Sequence, residues 1–311
     1  MATKLTPKEL AKREERLAPG QRLCAGCGAP IVVRQMLAAI DEPVVIANAT
    51  GCLEVATSIY PYTSWRVPWM HNAFENAAST ISGIEAAYRS LVRQGKMEEK
   101  NIKFLAFGGD GGTYDIGLQA LSGAVERGHQ FLYVCYDNGA YMNTGIQRSS
   151  ATPFGASTTT SPAGKKIPGK QQFRKDLTAI MAAHNIPYVA QAAPSQWRDL
   201  MKKTRKAVAC GGAAFMNVLA SCNRGWRHPT DTTIEMTQLG VDTCYWPLFE
   251  VENGEWTLNY KPKEKRPIED WLKLQGRFRH AFKPENRYLI DELQAEIDRR
   301  GERLLKLCGE A

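Results

Sequence analysis

Short apolar runs alternate with helical patterns along the middle of this chain, and that alternation constrains the fold most. The apolar runs, which we predict to be buried strands, cover residues 43–48, 102–107, 131–136, 186–190 and 214–220. The intervening segments, which we predict to be helices, cover residues 31–40, 73–93, 115–127, 177–184 and 196–208. Strands that alternate with helices indicate an α/β fold with a doubly wound parallel sheet covered on both faces.

The regions outside this alternation divide the chain into three parts. We predict a polar N-terminal arm at residues 1–22, an α/β domain at residues 23–225 and a C-terminal extension at residues 226–311. The extension begins with irregular sequence rich in Trp and Pro and ends in an amphipathic helix over residues 284–308. Residues 149–169 are rich in Gly, Ser, Thr and Pro, which indicates a long ordered loop of a kind that is often functional.

Chemically distinctive residues follow four of the predicted strands. Because parallel strands all end at the same edge of a sheet, such residues converge there even when they lie far apart in sequence. The residues in question are Cys52, Asp110, Asn138 and Cys222. The sequence therefore predicts a ligand site at this edge of the sheet.

A glycine-rich turn at residues 108–112 surrounds Asp110, between a predicted strand and a predicted helix. Glycines let the backbone approach a phosphate, and a helix N-terminus favours negative charge, so an aspartate fits here only if a cation lies between it and the phosphate. Mg²⁺ takes oxygen ligands from the protein and from phosphate. The Asn138 side chain, 28 residues after Asp110, and the Ala140 carbonyl are the predicted further ligands.

A Gly-Asp-Gly turn followed at this spacing by Asp137-Asn138 resembles the Mg²⁺–thiamine diphosphate motif of thiamine-dependent enzymes. Residues 114–117 (Tyr-Asp-Ile-Gly) and 140–145 (Ala-Tyr-Met-Asn-Thr-Gly) extend the likeness: the chain resembles the β subunit of pyruvate:ferredoxin oxidoreductase and its 2-oxoacid relatives. The resemblance implies that Asn143 lies at the reacting end of the cofactor and supports catalysis. The cofactor-binding residues that it implies are Thr50, Gly51, Cys52, Gly109, Asp110, Gly111, Gly112, Asn138, Ala140 and Asn143.

Four of the eight cysteines are predicted to share one site. Cys24 and Cys27 form a Cys-x-x-Cys pair before the first helix of the domain, and Cys52 and Cys222 follow strands at the predicted ligand edge. Disulfides are rare in a reducing cytoplasm, so the residues alone leave zinc, an iron–sulfur cluster or a redox dithiol open. The family resemblance implies that these four thiolates hold one [4Fe–4S] cluster, and a four-cysteine structural zinc is the alternative.

The same resemblance implies a thiamine diphosphate-dependent 2-oxoacid:ferredoxin oxidoreductase. Its substrate would be a small 2-oxoacid, by default pyruvate with coenzyme A, and the electrons released with CO₂ would pass through [4Fe–4S] clusters to ferredoxin. Oxalate, oxidised to two CO₂ without coenzyme A, is the close alternative. The implied partners are an α subunit, which supplies the pyrimidine-binding half of the site, and γ and δ subunits that carry further clusters. We expect the C-terminal extension to make inter-subunit contacts.

Charge and hydropathy define the remaining alternatives. Lys and Arg number 40 against 32 Asp and Glu, a net charge of +8, which also suits a zinc-stapled nucleic-acid-binding protein. That reading leaves Asp110 and Asn138 unexplained, and a cluster-free thiamine carboligase leaves the four cysteines unexplained, so we expect no nucleic acid. No apolar run approaches the length of a membrane span. Acidic residues near the N-terminus argue against a signal or transit peptide, so we expect a cytoplasmic protein without a membrane partner.

Three features keep more than one interpretation. His71 and Glu75 belong to a segment that we predict to open a helix, where they line the site or only cap and pack. Glu54 follows Cys52 and has the character of a first-turn acid favoured by the helix dipole. Residues 271–280 mix cations with aromatic side chains and resemble the tail of pyruvate-type β subunits. They form either an inter-subunit contact or a solvated helix face.

Overall fold

The structure, a computed structural model, describes residues 5–310, and its centre is an eight-stranded sheet. The strands are β1 (Val44–Ala49), β2 (Trp69–Asn72), β3 (Lys103–Gly109), β4 (Leu132–Asp137), β5 (Tyr188–Ala192), β6 (Ala214–Leu219), β7 (Phe249–Glu252) and β8 (Glu255–Leu258). They lie in the order β2-β1-β3-β4-β6-β5-β7-β8. Strands β1 to β6 pair in parallel, whereas β7 and β8 pair antiparallel at one edge.

Helices connect the strands and cover both faces of the sheet. The α-helices are α1 (Pro7–Leu10), α2 (Gly28–Ala39), α3 (Cys52–Val55), α4 (Ala77–Arg93), α5 (Leu118–Glu126), α6 (Leu177–Ala182), α7 (Trp197–Ala209), α8 (Asn223–Trp226), α9 (Thr233–Asp242), α10 (Ile268–Leu272) and α11 (Tyr288–Leu307). A π-helix spans Gly111–Ile116. Short 3₁₀ segments span Pro194–Gln196, Thr230–Thr232, Gly276–Phe282 and Pro284–Asn286.

The apolar side chains of the strands explain this layering. Every residue of β4 and β6 is buried, as expected for parallel strands with helices on both sides. One face packs against α2 and α7, through residues such as Met36 and Leu200. The other face packs against α4, α5 and α6, through residues such as Ile81, Leu121 and Met181. The predicted α/β fold with a doubly wound parallel sheet is therefore confirmed.

The structure corrects the prediction at the two edges of the sheet. Residues 69–72 form β2 beside β1, so the helix predicted from residue 73 begins only at Ala77. The region after β6, predicted as irregular, contains α9 and the β7–β8 hairpin. Asn253 and Gly254 turn this hairpin with positive φ angles of 51° and 89°, and Asn-Gly is a strong hairpin signal. Because β7 pairs with β5, the sheet continues past the predicted boundary at residue 225.

A long loop joins β4 to α6, and it contains no helix or strand between residues 138 and 176, all of which the structure describes. Its middle part, including Ser149 and Thr152, is buried against the sheet edge. The buried Lys170 ammonium donates hydrogen bonds to the carbonyls of Ser150 at 3.2 Å and Thr152 at 2.6 Å. The prediction of an ordered loop at residues 149–169 is thus confirmed, and the loop forms one wall of the site described below.

The C-terminal part of the chain builds a third apolar cluster, in which α9, α10 and α11 surround three buried tryptophans, Trp226, Trp246 and Trp271. Within residues 271–280, Arg277 and Phe278 are buried as well. A fully solvated helix face at this segment is therefore wrong, because its aromatic side chains pack inward. Of the predicted N-terminal arm, residues 1–4 lie outside the described residues. Among residues 5–310, no helix has the length and apolar character needed to cross a membrane.

Candidate functional site

A cleft lies at the carboxyl ends of β1, β3 and β4, where the sequence predicts the ligand site. Thr50, Gly51 and Cys52 follow β1, the glycine-rich turn follows β3, and Asn138 and Ala140 follow β4. The side chains that complete its walls are Phe74, Tyr136, Tyr141, Met142, Asn143 and Thr144. Nine of the ten predicted cofactor-binding positions line this cleft, and Asp110 lies beneath them, fully buried.

The glycine-rich turn holds close packing contacts that larger residues would prevent. A Cβ atom on Gly111 would lie 2.4 Å from the Tyr141 ring, and one on Gly112 would lie 2.8 Å from the Phe74 carbonyl oxygen. The helix after the turn starts as a π-helix, in which the Gly117 N–H donates to the Gly112 carbonyl at 2.8 Å. Single π turns of this kind are rare and occur mostly at functional sites.

Asp110 is a carboxylate without an ion-pair partner in the described residues. One oxygen, Oδ1, accepts a hydrogen bond from the Asn138 N–H at 3.2 Å, and the other accepts one from the buried Ser149 hydroxyl. Burial, with the nearby Asp137 carboxylate, raises the pKa of Asp110 to about 8. A nearby divalent cation would favour the charged form of this carboxyl group.

Three polar groups converge here, the Asp110 carboxylate, the Asn138 side-chain amide and the Ala140 carbonyl, and we call this group (Asp110, Asn138 and Ala140) the oxygen corner. The Asn138 amide nitrogen donates hydrogen bonds to Asp110 Oδ1 and to the Ala140 carbonyl oxygen, each at 2.9 Å. With the amide turned over, its oxygen would face a cation together with these two oxygens. Octahedral Mg²⁺ with bonds of about 2.0–2.1 Å separates adjacent ligands by about 2.9 Å. The oxygen corner therefore fits Mg²⁺ in its atom types and spacing.

The four predicted cysteines lie together beside the cleft, and we call them the cysteine corner. Cys27 and Cys222 form an isolated antiparallel β-bridge, and Cys52 begins α3. Burial raises the pKa of the Cys27 thiol to about 12, and the thiols of Cys222, Cys52 and Cys24 add to the rise. The convergence predicted for Cys52 and Cys222 thus extends to the Cys24–Cys27 loop.

The cysteine corner is not a ready-made cage for a single ion. Among residues 5–310, no group of three or more His, Cys, Asp or Glu side chains is close enough to hold one metal ion. Zinc bonds to four thiolates at about 2.3 Å and needs them close together. A [4Fe–4S] cluster is held by four cysteine thiolates, one on each iron. The four thiols are therefore a donor set that suits either a structural zinc or a [4Fe–4S] cluster.

Comparisons with known proteins agree with this geometry. Residues 49–218 match the family described as thiamine pyrophosphate enzyme, C-terminal TPP binding domain. The chain is 56% identical over 287 residues to pyruvate synthase subunit PorB of Methanocaldococcus jannaschii, covering 92% of this chain and 95% of the relative. It is 53% identical to the PorB subunit of Thermotoga maritima, over 96% of this chain and 94% of the relative.

This chain belongs to the β-subunit family of the 2-oxoacid:ferredoxin oxidoreductases. A second named branch is also similar: the ketoisovalerate oxidoreductase subunit VorB of Pyrococcus abyssi is 43% identical over 97% of this chain and 98% of the relative. A 2-oxoglutarate:ferredoxin oxidoreductase structure from Magnetococcus marinus shares the fold, with a TM-score of 0.55 at 20% identity over 76% of this chain and 83% of that chain. The predicted family, and its place among oxidoreductase subunits, is confirmed.

Within this β subunit, Asn143 lies exposed at the mouth of the cleft. Its catalytic role stays a prediction. His71 lies on β2, and its Nδ1 is 3.2 Å from Oε1 of Glu54, which lies on α3 two residues after Cys52. Glu75 precedes α4 and does not line the cleft, whereas its neighbour Phe74 does.

Several site residues of the β subunit escaped the sequence analysis. Ser149 reaches Asp110 from a loop 39 residues away, which no local pattern announces. Tyr136, the penultimate residue of β4, has a buried hydroxyl that has no hydrogen-bond partner in the described part of the chain, and it lines the cleft. Asp137 was part of the predicted motif, but its partners were not predicted: it accepts hydrogen bonds from Tyr114 at 2.7 Å and Arg174 at 2.8 Å, which holds the turn before Asn138. Of the lining residues that the sequence analysis left out of the predicted site, Tyr136 and Tyr141 could have been found from sequence, because they lie within a few residues of Asn138 and Asn143.

Proposed function

We propose that this chain is the β subunit of a pyruvate:ferredoxin oxidoreductase complex, with Mg²⁺–thiamine diphosphate at the oxygen corner and one [4Fe–4S] cluster at the cysteine corner. The reaction would cleave the bond between the carboxylate and the carbonyl carbon of pyruvate, release CO₂, pass the acetyl group to coenzyme A and send two electrons to ferredoxin. The meeting of the Asp110 carboxylate, the Asn138 amide and the Ala140 carbonyl at one corner carries the cofactor part of this proposal.

The choice of substrate rests on the relatives. Chains named as pyruvate synthase subunits are 56% and 53% identical to this chain over more than nine-tenths of its length, against 43% for the ketoisovalerate subunit. We therefore propose pyruvate, and oxalate becomes an outcome of the assay below.

The chain's own residues would bind and orient the cofactor. Asp110, Asn138 and Ala140 would hold Mg²⁺, and Ser149 would fix the Asp110 carboxylate through its second oxygen. Bound thiamine diphosphate supplies the electron sink that decarboxylation needs. Asn143, at the open mouth of the cleft, would contact the reacting end of the cofactor.

The shape of the cleft supports a site shared with another subunit. The cleft is open and its cavity volume is only about 30 Å³. Sites that enclose a cofactor-sized molecule have volumes of about 300–1,000 Å³. A coenzyme held here would therefore project beyond this chain, and we propose that an α subunit covers it and supplies the pyrimidine-binding half. Further subunits, γ and δ, would carry clusters towards ferredoxin.

The cysteine corner is suitably placed to receive electrons from the cleft. Cys52 lines the cleft itself. Met142, another lining residue, packs against α8, since a Cβ atom on Gly225 would lie 2.2 Å from the Met142 sulfur and 3.6 Å from Cys222 Sγ. One side chain thus separates the cofactor cleft from Cys222. A cluster of iron, unlike zinc, accepts electrons, and this proximity supports its assignment to the corner.

The test is an anaerobic assay of the intact complex with a viologen acceptor. Pyruvate, 2-ketoisovalerate and oxalate are compared, each with and without coenzyme A, and bound thiamine, iron and sulfide are counted. We expect pyruvate to be oxidised fastest, only with coenzyme A. Oxalate oxidation without coenzyme A would overturn the substrate, and a complex without bound thiamine diphosphate would overturn the cofactor assignment.

A further inference from the structure

Arg277 is a buried cation that neither the proposed catalytic groups nor the fold explains. Its side chain belongs to the 3₁₀ segment Gly276–Phe282, and the residue is 2% exposed. The guanidinium Nε donates to the side-chain oxygen of Gln275 at 2.9 Å, and no carboxylate among residues 5–310 forms an ion pair with Arg277. Burying an unpaired charge is costly, so a negative partner is expected nearby.

The guanidinium packs against α8, the helix that Cys222 caps. Its central carbon is 4.5 Å from the centroid of the Trp226 ring, and the Trp226 N–H donates to the Cys222 carbonyl at 2.8 Å. The Trp226 indole also donates to the Asn138 carbonyl at 2.6 Å. Arg277 therefore stacks on the side chain that joins the cysteine corner to the oxygen corner.

The guanidinium is fully charged under ordinary conditions. Burial lowers the pKa of Arg277 to about 10, so it keeps its charge at neutral pH.

The other charged groups that face Arg277 are already engaged. Asp137 pairs with Arg174, and Asp110 belongs to the oxygen corner. Tyr245 also faces Arg277, and burial raises the pKa of this phenol, which keeps it neutral. Neither carboxylate forms an ion pair with Arg277, and a cluster at the cysteine corner would supply the negative charge that Arg277 lacks.

We propose that Arg277 is the counter-charge of the iron–sulfur cluster at the cysteine corner and raises the reduction potential of that cluster. This inference rests on the cluster assignment proposed above. Four thiolates give the cluster a net negative charge, and one-electron reduction makes it more negative. A fixed cation close by stabilises the reduced state more than the oxidised state. Arg277 would act on the cluster only through its charge, since it is not one of the cluster ligands.

The decisive measurement is the midpoint potential of this cluster in the intact complex, followed by electron paramagnetic resonance during redox titration. The relevant signal is the one that Cys222→Ser removes. We expect Arg277→Met to lower the equilibrium constant for reduction of the cluster by at least about tenfold. That change corresponds to a midpoint potential about 59 mV lower for a one-electron couple. Arg277→Lys, which keeps the charge, should retain a potential near that of the wild type.

A second variant changes the charge without removing the guanidinium. Gln275→Glu places a carboxylate against Arg277 Nε, and we expect it to lower the potential in the same direction as Arg277→Met. Lys203→Met is the control, because Lys203 is also a buried cation but lies on α7, where Asp199 already compensates its charge. Its potential should match that of the wild type.

The outcomes separate this inference from the function on which it rests. An unchanged potential in Arg277→Met or Gln275→Glu, with iron content intact, overturns the role of Arg277. If Arg277→Met loses its cluster, the Gln275→Glu potential decides the question by itself. A wild-type complex without iron at this chain would instead overturn the cluster assignment.

Discussion

The oxygen corner and the cysteine corner lie side by side, but the fold holds them by different means. Asp110 and Asn138 follow β3 and β4, which are paired in register with Gly109 beside Tyr136. In the cysteine corner, Cys24 and Cys27 belong to a loop before α2, and one isolated bridge joins Cys27 to Cys222. Cys24 is exposed, whereas Asp110 is fully buried.

The difference shows how much each corner depends on its ligand. Paired strands hold the Asn138 amide 2.9 Å from Asp110 Oδ1 and from the Ala140 carbonyl oxygen before any cation binds. Loops place the thiols near one another, and we expect a bound cluster to complete their arrangement, as metals do at many sites that form only on binding. Substitution of a ligating side chain should therefore have the largest effect on binding at the oxygen corner. At the cysteine corner, a change in the conformation of the Cys24–Cys27 loop should have the largest effect.

The largest effect should come from removing the buried carboxylate of the oxygen corner. Asp110→Ala deletes the charged ligand. Groups that only hydrogen-bond to a metal ligand typically change metal affinity by about 10- to 100-fold when they are replaced, and loss of the ligand itself should cost more. We expect thiamine diphosphate affinity to fall by about 100-fold or more, measured as cofactor retained by the purified complex. Asp291→Ala, an exposed aspartate on α11, should retain the cofactor. Full occupancy in Asp110→Ala would contradict the ligand role.

Loop geometry should dominate at the cysteine corner. Gly26 has a φ of +75°, and a Cβ atom there would lie 2.2 Å from the Thr230 carbonyl oxygen. Gly26→Ala should displace the Cys24–Cys27 loop and remove most of the iron bound to this chain, while thiamine diphosphate stays bound.

Gly20→Ala is the matched control for this prediction. Gly20 also has a positive φ, +91°, but no atom lies within 4 Å of its Cβ position. The backbone strain there costs about 1–2 kcal/mol without a clash. Iron content measured against bound thiamine should therefore stay near the wild-type ratio in Gly20→Ala. Equal iron loss in both variants would show that strain alone, rather than the contact with Thr230, causes the effect.

A smaller effect at the oxygen corner should follow from Ser149→Ala. The Ser149 hydroxyl donates to Asp110 Oδ2, and hydrogen bonds to charged groups contribute about 1.5–3 kcal/mol. We expect the apparent affinity for Mg²⁺–thiamine diphosphate to fall by about tenfold, measured by titration of the apo complex. Ser195→Ala removes a hydroxyl that has no hydrogen-bond partner in the described chain, and its affinity should not change.

The smallest effect concerns the loop that carries Ser149, and it depends on pH. Burial, with Arg148 and Arg174 nearby, lowers the pKa of Lys170 to about 7. The unfolded chain keeps this proton up to a pKa of about 10.4, so it binds more protons than the folded chain between these values. The contribution of Lys170 to stability therefore rises with pH from about 7 upwards.

Thermal unfolding of the wild type and Lys170→Met at several pH values checks this sign. The difference in midpoint, wild type minus variant, should increase from pH 6.5 to pH 9, by a few degrees at most. Lys165→Met, in the same loop but exposed, should follow the wild-type profile. Parallel profiles for the wild type and Lys170→Met would contradict the lowered pKa.

The sequence was sufficient for the parts of this molecule that depend on local pattern. The five buried strands and the helices between them follow from apolar periodicity, and the shared edge follows from parallel pairing. The short edge strand β2 was missed because four half-exposed residues carry little periodicity. The β7–β8 hairpin was missed although its Asn253-Gly254 turn is a recognisable signal.

By itself, then, the sequence determined the fold class and the residues that meet at the sheet edge, because the direction of parallel strands makes their ends coincide. Only the tertiary structure decided which side chains from distant segments contact those residues. Ser149 on Asp110 and Arg277 beside Cys222 come from segments 39 and 55 residues away. Such contacts depend on how loops and the C-terminal cluster pack against the sheet, and no local pattern encodes that packing.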